Sequence, residues 1–259
     1  MNFMARIVPS RMSNKLPLLV AVMMCLTLAA VWTPPVPWRS QVSIGVHDDL
    51  RLIANATAER ASIVGVWKPR DSKPKISSTG AWILPPDFQY YLDASLAHDL
   101  CWLFEGRSVL EFGAGMGRYT EYIRDSCKAT RVSAFDGVKD IERRSGGIVK
   151  HADLTVPNVV RGNMYDWVLC LEVLEHIPNV YESTAIENLV HNSRFGMVIS
   201  WAAKGQGGKG HVNEQNKEYV VETLGKFGFL HSALAGEILR QRATLPWFHN
   251  TIYVFTRAT

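Results

Sequence analysis

The sequence predicts an α/β domain built on a doubly wound parallel sheet. Two observations lead there. From about residue 80, short apolar runs alternate with stretches whose apolar residues fall at helical spacing, the pattern of a parallel sheet covered on both faces. Three of the first four runs also end on or beside a carboxylate, at Asp136, Asp153 and Glu172, and the first enters a glycine-rich turn at 113–117.

The elements follow in order. Phe88 to Phe104 reads as a helix, and Ser108 to Phe112 as the first strand. A helix from about Arg118 to Lys128 follows the glycine turn. Arg131 to Phe135 is the second strand, closing on Asp136, and a short helix covers Val138 to Arg144. Gly147 to His151 is the third strand, with His151 read as half-buried, and Asp166 to Leu171 the fourth, closing on Glu172. A helix at about Val180 to Asn192, a strand from Phe195 to Trp201 and a helix at about Asn216 to Phe227 come next. Trp247 to Arg257 is β-rich, and no internal repeat is visible.

Composition bounds the rest. With 259 residues, 47% hydrophobic and 20% charged, the chain holds one ordinary domain and an accessory segment, and is too apolar to be disordered. The net charge of +4 is entirely N-terminal, because residues 1–40 hold Arg6, Arg11, Lys15 and Arg39 and no acid. Nothing therefore supports a basic nucleic-acid-binding face. Of the four cysteines, Cys101 and Cys127 read as two buried thiols, or as a disulfide if the compartment is oxidising.

Leu16 to Trp32 is an uncharged run of 17 residues, preceded by three basic residues. At about 1.5 Å per residue it spans roughly 25 Å, close to a hydrocarbon core. We read residues 1–15 as cytosolic, 16–32 as a transmembrane signal anchor, 33–79 as a Pro-rich stem and 80–259 as the folded domain. The positive-inside bias puts that domain in the secretory lumen as a single-pass type II protein. The alternative is a cleaved signal and a secreted chain. The sequon at Asn55 is compatible with a lumenal glycoprotein.

In a parallel sheet ligands bind at the carboxyl ends of the strands, where the strand order reverses. The turn Glu111-Phe-Gly113-Ala-Gly115-Met-Gly117 lets a ligand approach bare backbone. Its third glycine comes one residue too early for a dinucleotide fingerprint, and no Gly-Lys-Ser/Thr follows for a phosphate loop. Asp136 is placed to accept from ribose hydroxyls. Acids ringing a phosphate-free nucleoside site suit a cationic ligand, and S-adenosylmethionine is one.

The motifs VLEFGAGMGRYT (109–120), SAFD (133–136), HADL (151–154) and YDWVLCLEVLEHIP (165–178) resemble those of class I S-adenosylmethionine-dependent methyltransferases in order and spacing. The resemblance covers about residues 80–259. It implies a Rossmann-like, seven-stranded, mostly parallel sheet with an antiparallel last strand. It also implies that Gly113, Gly115 and Gly117 pack on the methionine moiety with Glu111 near its ammonium. Asp136 would take the ribose hydroxyls, Asp153 and the Leu154 N–H the adenine, and Glu172 would lie beside the methyl donor.

Methyl transfer from an activated donor is mainly orientation, but a hydroxyl acceptor benefits from a base. His176 and His211 are the candidates, each in a loop following a strand. The expected acceptor is a glycan or small-molecule hydroxyl. A protein, lipid or amine acceptor, a non-catalytic scaffold and a nicotinamide oxidoreductase are the alternatives. Trp82 and Trp247-Phe248 either wall the acceptor pocket or belong to the core, and Glu172 or Glu175 could be solvated helix starts. Glu172, His176 and His211 could ligate a metal, but no metal-specific spacing is present, so none is predicted.

Overall fold

The computed structural model describes residues 75–258, except 86, 87, 89, 161 and 163. A hairpin of β1 (Lys75–Ile76) and β2 (Trp82–Ile83) comes first. The main sheet holds β3 (Ser108–Phe112), β4 (Arg131–Asp136), β5 (Lys150–His151), β6 (Tyr165–Cys170), β7 (Ser193–Ser200), β8 (Phe229–His231) and β9 (Ile252–Arg257). Its helices are α1 (Ala94–Phe104), α2 (Arg118–Ser126), α3 (Ile141–Arg144), α4 (Glu182–Asn192), α5 (Lys217–Lys226) and α6 (Ala233–Arg242).

The strand order is β5-β4-β3-β6-β7-β9-β8. All neighbouring pairs are parallel except those of β9, which runs antiparallel to both β7 and β8. The order reverses between β3 and β6, which places the switch point there.

Both faces of the sheet are buried, so the strands read as continuous apolar runs, yet their residues still alternate. Leu110, Val168, Cys170, Met197, Ile199 and Phe255 pack under α4 and α5 with Ile186, Leu189 and Leu224. Val109, Trp167, Leu169, Val198 and Val254 face the other way, against Leu96, Leu100 and Phe104 of α1, Ile123 of α2 and Leu239 of α6. Each such side chain contributes about 1.5–3 kcal/mol by leaving water.

Several expectations change. The helix expected from Phe88 begins at Ala94, because Asp93 caps it: its side chain accepts the Leu96 N–H at 3.0 Å. The third strand shrinks to two residues, since Gly146 and Gly147 both take positive φ. His151 consequently sits exposed on an edge strand rather than half-buried. Cys101 and Cys127, read first as separate thiols, form a disulfide joining α1 to the end of α2. The elements β8 and α6 had no sequence signal. Gly236 interrupts the α6 pattern because the helix lies close on β9, where a Cβ would meet the Ile252 carbonyl oxygen at 3.4 Å. Among the described residues no helix is long and apolar enough to cross a membrane; the expected anchor, residues 16–32, and the Asn55 sequon lie outside them.

Candidate active site

The carboxyl ends of β3, β4 and β6 open onto a cleft enclosing about 580 Å³, part of it open solvent. Gly113, Asp136, Asp153, Leu154, Glu172 and His176 all line it. Sequence separates these residues widely; the parallel sheet brings them together because every crossover returns the chain to the same edge.

The glycine turn is shaped by close approach. Gly113 has φ +73°, and a Cβ there would lie 2.0 Å from a Val173 methyl. Gly115 has φ +54°, and a Cβ would enter the Tyr90 ring at 2.5 Å. Gly117 caps α2, its carbonyl accepting the Glu121 N–H at 2.8 Å. Gly115 and Gly117 therefore frame the turn rather than line the cleft.

Asp136 holds this turn in place. Its Oδ2 accepts the Gly115 N–H and its Oδ1 the Val138 N–H, each at 2.8 Å. Burial raises its carboxyl above the ordinary range, against the pull of those two donors. Asp153 uses one oxygen, Oδ1, to accept from the Thr155 N–H at 2.9 Å and hydroxyl at 2.8 Å. The Leu154 carbonyl is fixed by Asn188 Nδ2 at 2.9 Å. Glu111 lies beneath the cleft at 4% exposure, accepting from the Thr120 hydroxyl, and burial pushes its carboxyl up to about 8. It does not line the cleft.

The loop after β6 carries the second group. Glu172 takes φ +55°, a left-handed conformation uncommon for a residue with a side chain. Ser200 anchors it at both ends, receiving the Glu172 N–H and donating to the carboxylate, each at 2.7 Å. A 3₁₀ turn, Leu174–His176, then buries Glu175 completely. Neither Glu172 nor Glu175 is the solvated helix start considered from sequence. Burial and the neighbouring Glu172 carboxylate hold Glu175 well above the usual carboxylate range.

His176 stands on the cleft wall with its ring edge-on to Trp82 at 5.2 Å. Its Nδ1 donates to the Gly210 carbonyl at 3.2 Å, and burial lowers its pKa to about 4, so the ring is neutral. His211 does not line the cleft. Its ring lies edge-on to His176 at 5.1 Å, and its Nδ1 bonds Glu214 at 2.9 Å. The His211 loop is tied down by the Glu175 carbonyl, which accepts the N–H groups of Val212 and Asn213 at 2.9 and 3.0 Å.

Sequence reasoning reached the roof only through Trp82. The β1–β2 hairpin contributes Thr79 to Trp82, and Tyr90 adds an aromatic wall. Trp82 is a wall residue, whereas Trp247 and Phe248 pack in the core with α1 and α6. A tryptophan amid small residues was the available signal for the first.

A seven-stranded sheet with one antiparallel strand, the first and fourth motifs on the neighbouring strands β3 and β6, and a glycine turn at the switch point settle the architecture. The fold is that of a class I S-adenosylmethionine-dependent methyltransferase. No family model and no curated protein matches the chain. Among solved structures, this methyltransferase-fold chain is similar to a magnesium protoporphyrin IX methyltransferase from Synechocystis with bound S-adenosylhomocysteine. That match has 19% identity, covers 66% of this chain and 90% of that one, and has a TM-score of 0.47. A 1,6-didemethyltoxoflavin N1-methyltransferase from Burkholderia thailandensis matches at 17% identity over 88% of this chain and 93% of that one, TM-score 0.47. An N-methyltransferase from Bradyrhizobium japonicum matches at 16% identity over 64% and 86%, TM-score 0.46. With TM-scores below 0.5, these likenesses add nothing to what the strand order and ordered motifs carry.

Proposed function

We propose that the chain is an S-adenosylmethionine-dependent methyltransferase that methylates a hydroxyl of a glycan or small molecule. The observation that carries it is the cleft itself: bare backbone at Gly113, carboxylates at Asp136, Asp153 and Glu172, and no lysine or arginine among its lining residues. These residues fit a cationic nucleoside without phosphate. Asp136 would receive the ribose hydroxyls, Asp153 and the Leu154 N–H the adenine, and the turn from Gly113 to Gly117 the methionine moiety. Glu111 would lie beneath the ammonium, whose charge would favour its ionised form against the burial that holds it protonated. The cofactor supplies an activated methyl group.

The acceptor then enters from the side of Glu172 and His176, roofed by Trp82. There the acceptor oxygen would take the methyl group that the sulfonium supplies, the C–O bond forming as the S–C bond breaks to leave a neutral thioether, and the hydroxyl proton would pass to water. Two imidazoles and a buried carboxyl gathered at this end support a hydroxyl acceptor, which needs help losing that proton, over an amine, which does not. The Cys101–Cys127 disulfide supports an oxidising compartment, in keeping with a lumenal domain anchored through residues 16–32.

Calorimetry with S-adenosylmethionine and S-adenosylhomocysteine tests the donor. Both should bind, Asp136→Ala should weaken both about tenfold or more, and NAD(H) should not bind. Labelled donor incubated with the full chain and fractionated cell extract tests the acceptor. Label in base-stable ethers of glycans or small molecules is expected; label in protein or amines would overturn the hydroxyl assignment.

A further inference from the structure

We infer that Glu175, His176 and His211 form a binding site for one divalent transition-metal ion at the acceptor end of the cleft. One carboxylate oxygen and one nitrogen from each ring lie within 4.8 Å of one another. An ion about 2.1 Å from each ligand holds them at most about 4.2 Å apart, so a small contraction brings the three onto a shared centre.

Three further features point to a cation. Glu175 is 0% exposed, and its carboxylate oxygens make no hydrogen bond of good geometry among the described residues, the Glu172 carboxyl and the Ala202 main chain being only loose polar neighbours. A carboxyl stripped of water and left without donors costs several kcal/mol, and such groups in native proteins call for an explanation such as a bound ion. The two rings are also pre-set. The Gly210 carbonyl can only accept, so His176 carries its proton on Nδ1; the Glu214 carboxylate beside His211 Nδ1 fixes the same tautomer there. Both Nε2 lone pairs are thereby left free, with the outer support that metal-bound imidazoles commonly have. Finally, Gly208 lies against the His211 ring, where a Cβ would stand 2.2 Å from Nε2, so only a glycine fits beside that nitrogen.

The donor set selects the ion. Two imidazoles and one carboxylate suit Zn²⁺, Mn²⁺, Co²⁺ or Fe²⁺, whereas Mg²⁺ and Ca²⁺ prefer oxygen throughout. Three protein ligands leave coordination positions open, the pattern of catalytic rather than structural sites. What the ion does rests on the proposed hydroxyl acceptor. It would draw charge from the acceptor oxygen and promote release of its proton to water, with the imidazoles serving as ligands instead of bases. The cation site itself needs no such reading.

The test uses the full chain and Co²⁺ as probe. After chelation and dialysis, titration with Co²⁺ should give a visible absorption band of a mixed nitrogen–oxygen site, saturating at one ion per chain. Zn²⁺ should displace it. Glu175→Gln and His211→Asn should each weaken binding about tenfold or more, with S-adenosylmethionine binding retained as the sign of an intact fold. Gly208→Ala, which removes no ligand, should weaken it too by crowding the His211 ring. No saturable Co²⁺ band in the wild type overturns the site, as does binding undiminished in Glu175→Gln and His211→Asn. Co²⁺ binding without donor binding would sink the methyltransferase reading and leave the cation site standing.

Discussion

Asp93 and Glu175 are both carboxyls with 0% exposure, and they sit in opposite circumstances. Asp93, at the start of α1, accepts three backbone N–H groups. Oδ1 takes that of Leu96, and Oδ2 takes those of Thr244 and Leu245 at 2.6 and 2.8 Å. It pins α1 to the chain that follows α6. Glu175, in the turn after β6, has two oxygens with no well-formed hydrogen bond among the described residues. Burial alone therefore says nothing about role. A buried acid whose lone pairs are all used is a fastener, and one whose lone pairs are all idle points to a partner that the polypeptide does not provide.

The largest expected effect separates the two in opposite directions. Glu175→Gln should cut methyl transfer by about 10²- to 10⁴-fold without lowering unfolding free energy, as measured by labelled-donor turnover and urea denaturation. Equal losses of stability and activity would void the contrast. Asp93→Ala should do the reverse, lowering stability by about 3 kcal/mol because three donors lose their acceptor, with donor affinity kept in the folded protein. Its neighbourhood has a second fastener. Reducing the Cys101–Cys127 bond, which closes a separation of 26 residues, should lower stability by about 2–3 kcal/mol and leave the Co²⁺ band unchanged.

The smallest effect is a pH slope that tests a third buried acid. Glu111 moves from an ordinary value of 4.5 to about 8 on folding, so the folded state holds its proton more tightly. Stability from this group is full below pH 4.5 and declines as pH rises to about 8. From pH 6 to 7 the loss is about 1.4 kcal/mol at most. Thermal melts across that window should show the slope in the wild type and a flatter line in Glu111→Gln, which keeps an acceptor for Thr120 without the ionisation. Parallel slopes would mean that Glu111 ionises as freely as in the unfolded chain.

The sequence was most legible where the periodicity and the chemistry coincide. β3 ends where its apolar run ends, and Asp136 closes β4 while Glu172 stands two residues beyond β6, both at the cleft, because parallel connectivity forces those positions together. Elements held by tertiary contact were not legible. β8 has three residues and exposes Leu230, and α6 carries a glycine whose reason is the strand beneath it. The cation cluster was half visible. His176 and His211 stood out as loop histidines, but Glu175 reads as a surface residue until the 3₁₀ turn folds it inward. No ligand spacing exists along the chain, because the loop carrying His211 is brought to Glu175 by main-chain bonds that any residue type could make.

The two-stranded ribbon above the cleft has a consequence for both its sides. Ala81 lies against Gly137 on the Asp136 side, where a Cβ on the glycine would meet it at 2.8 Å, and Trp82 rests on His176 on the other. One short element therefore spans the cleft from Asp136 to His176, and the two sides lie under a common cover.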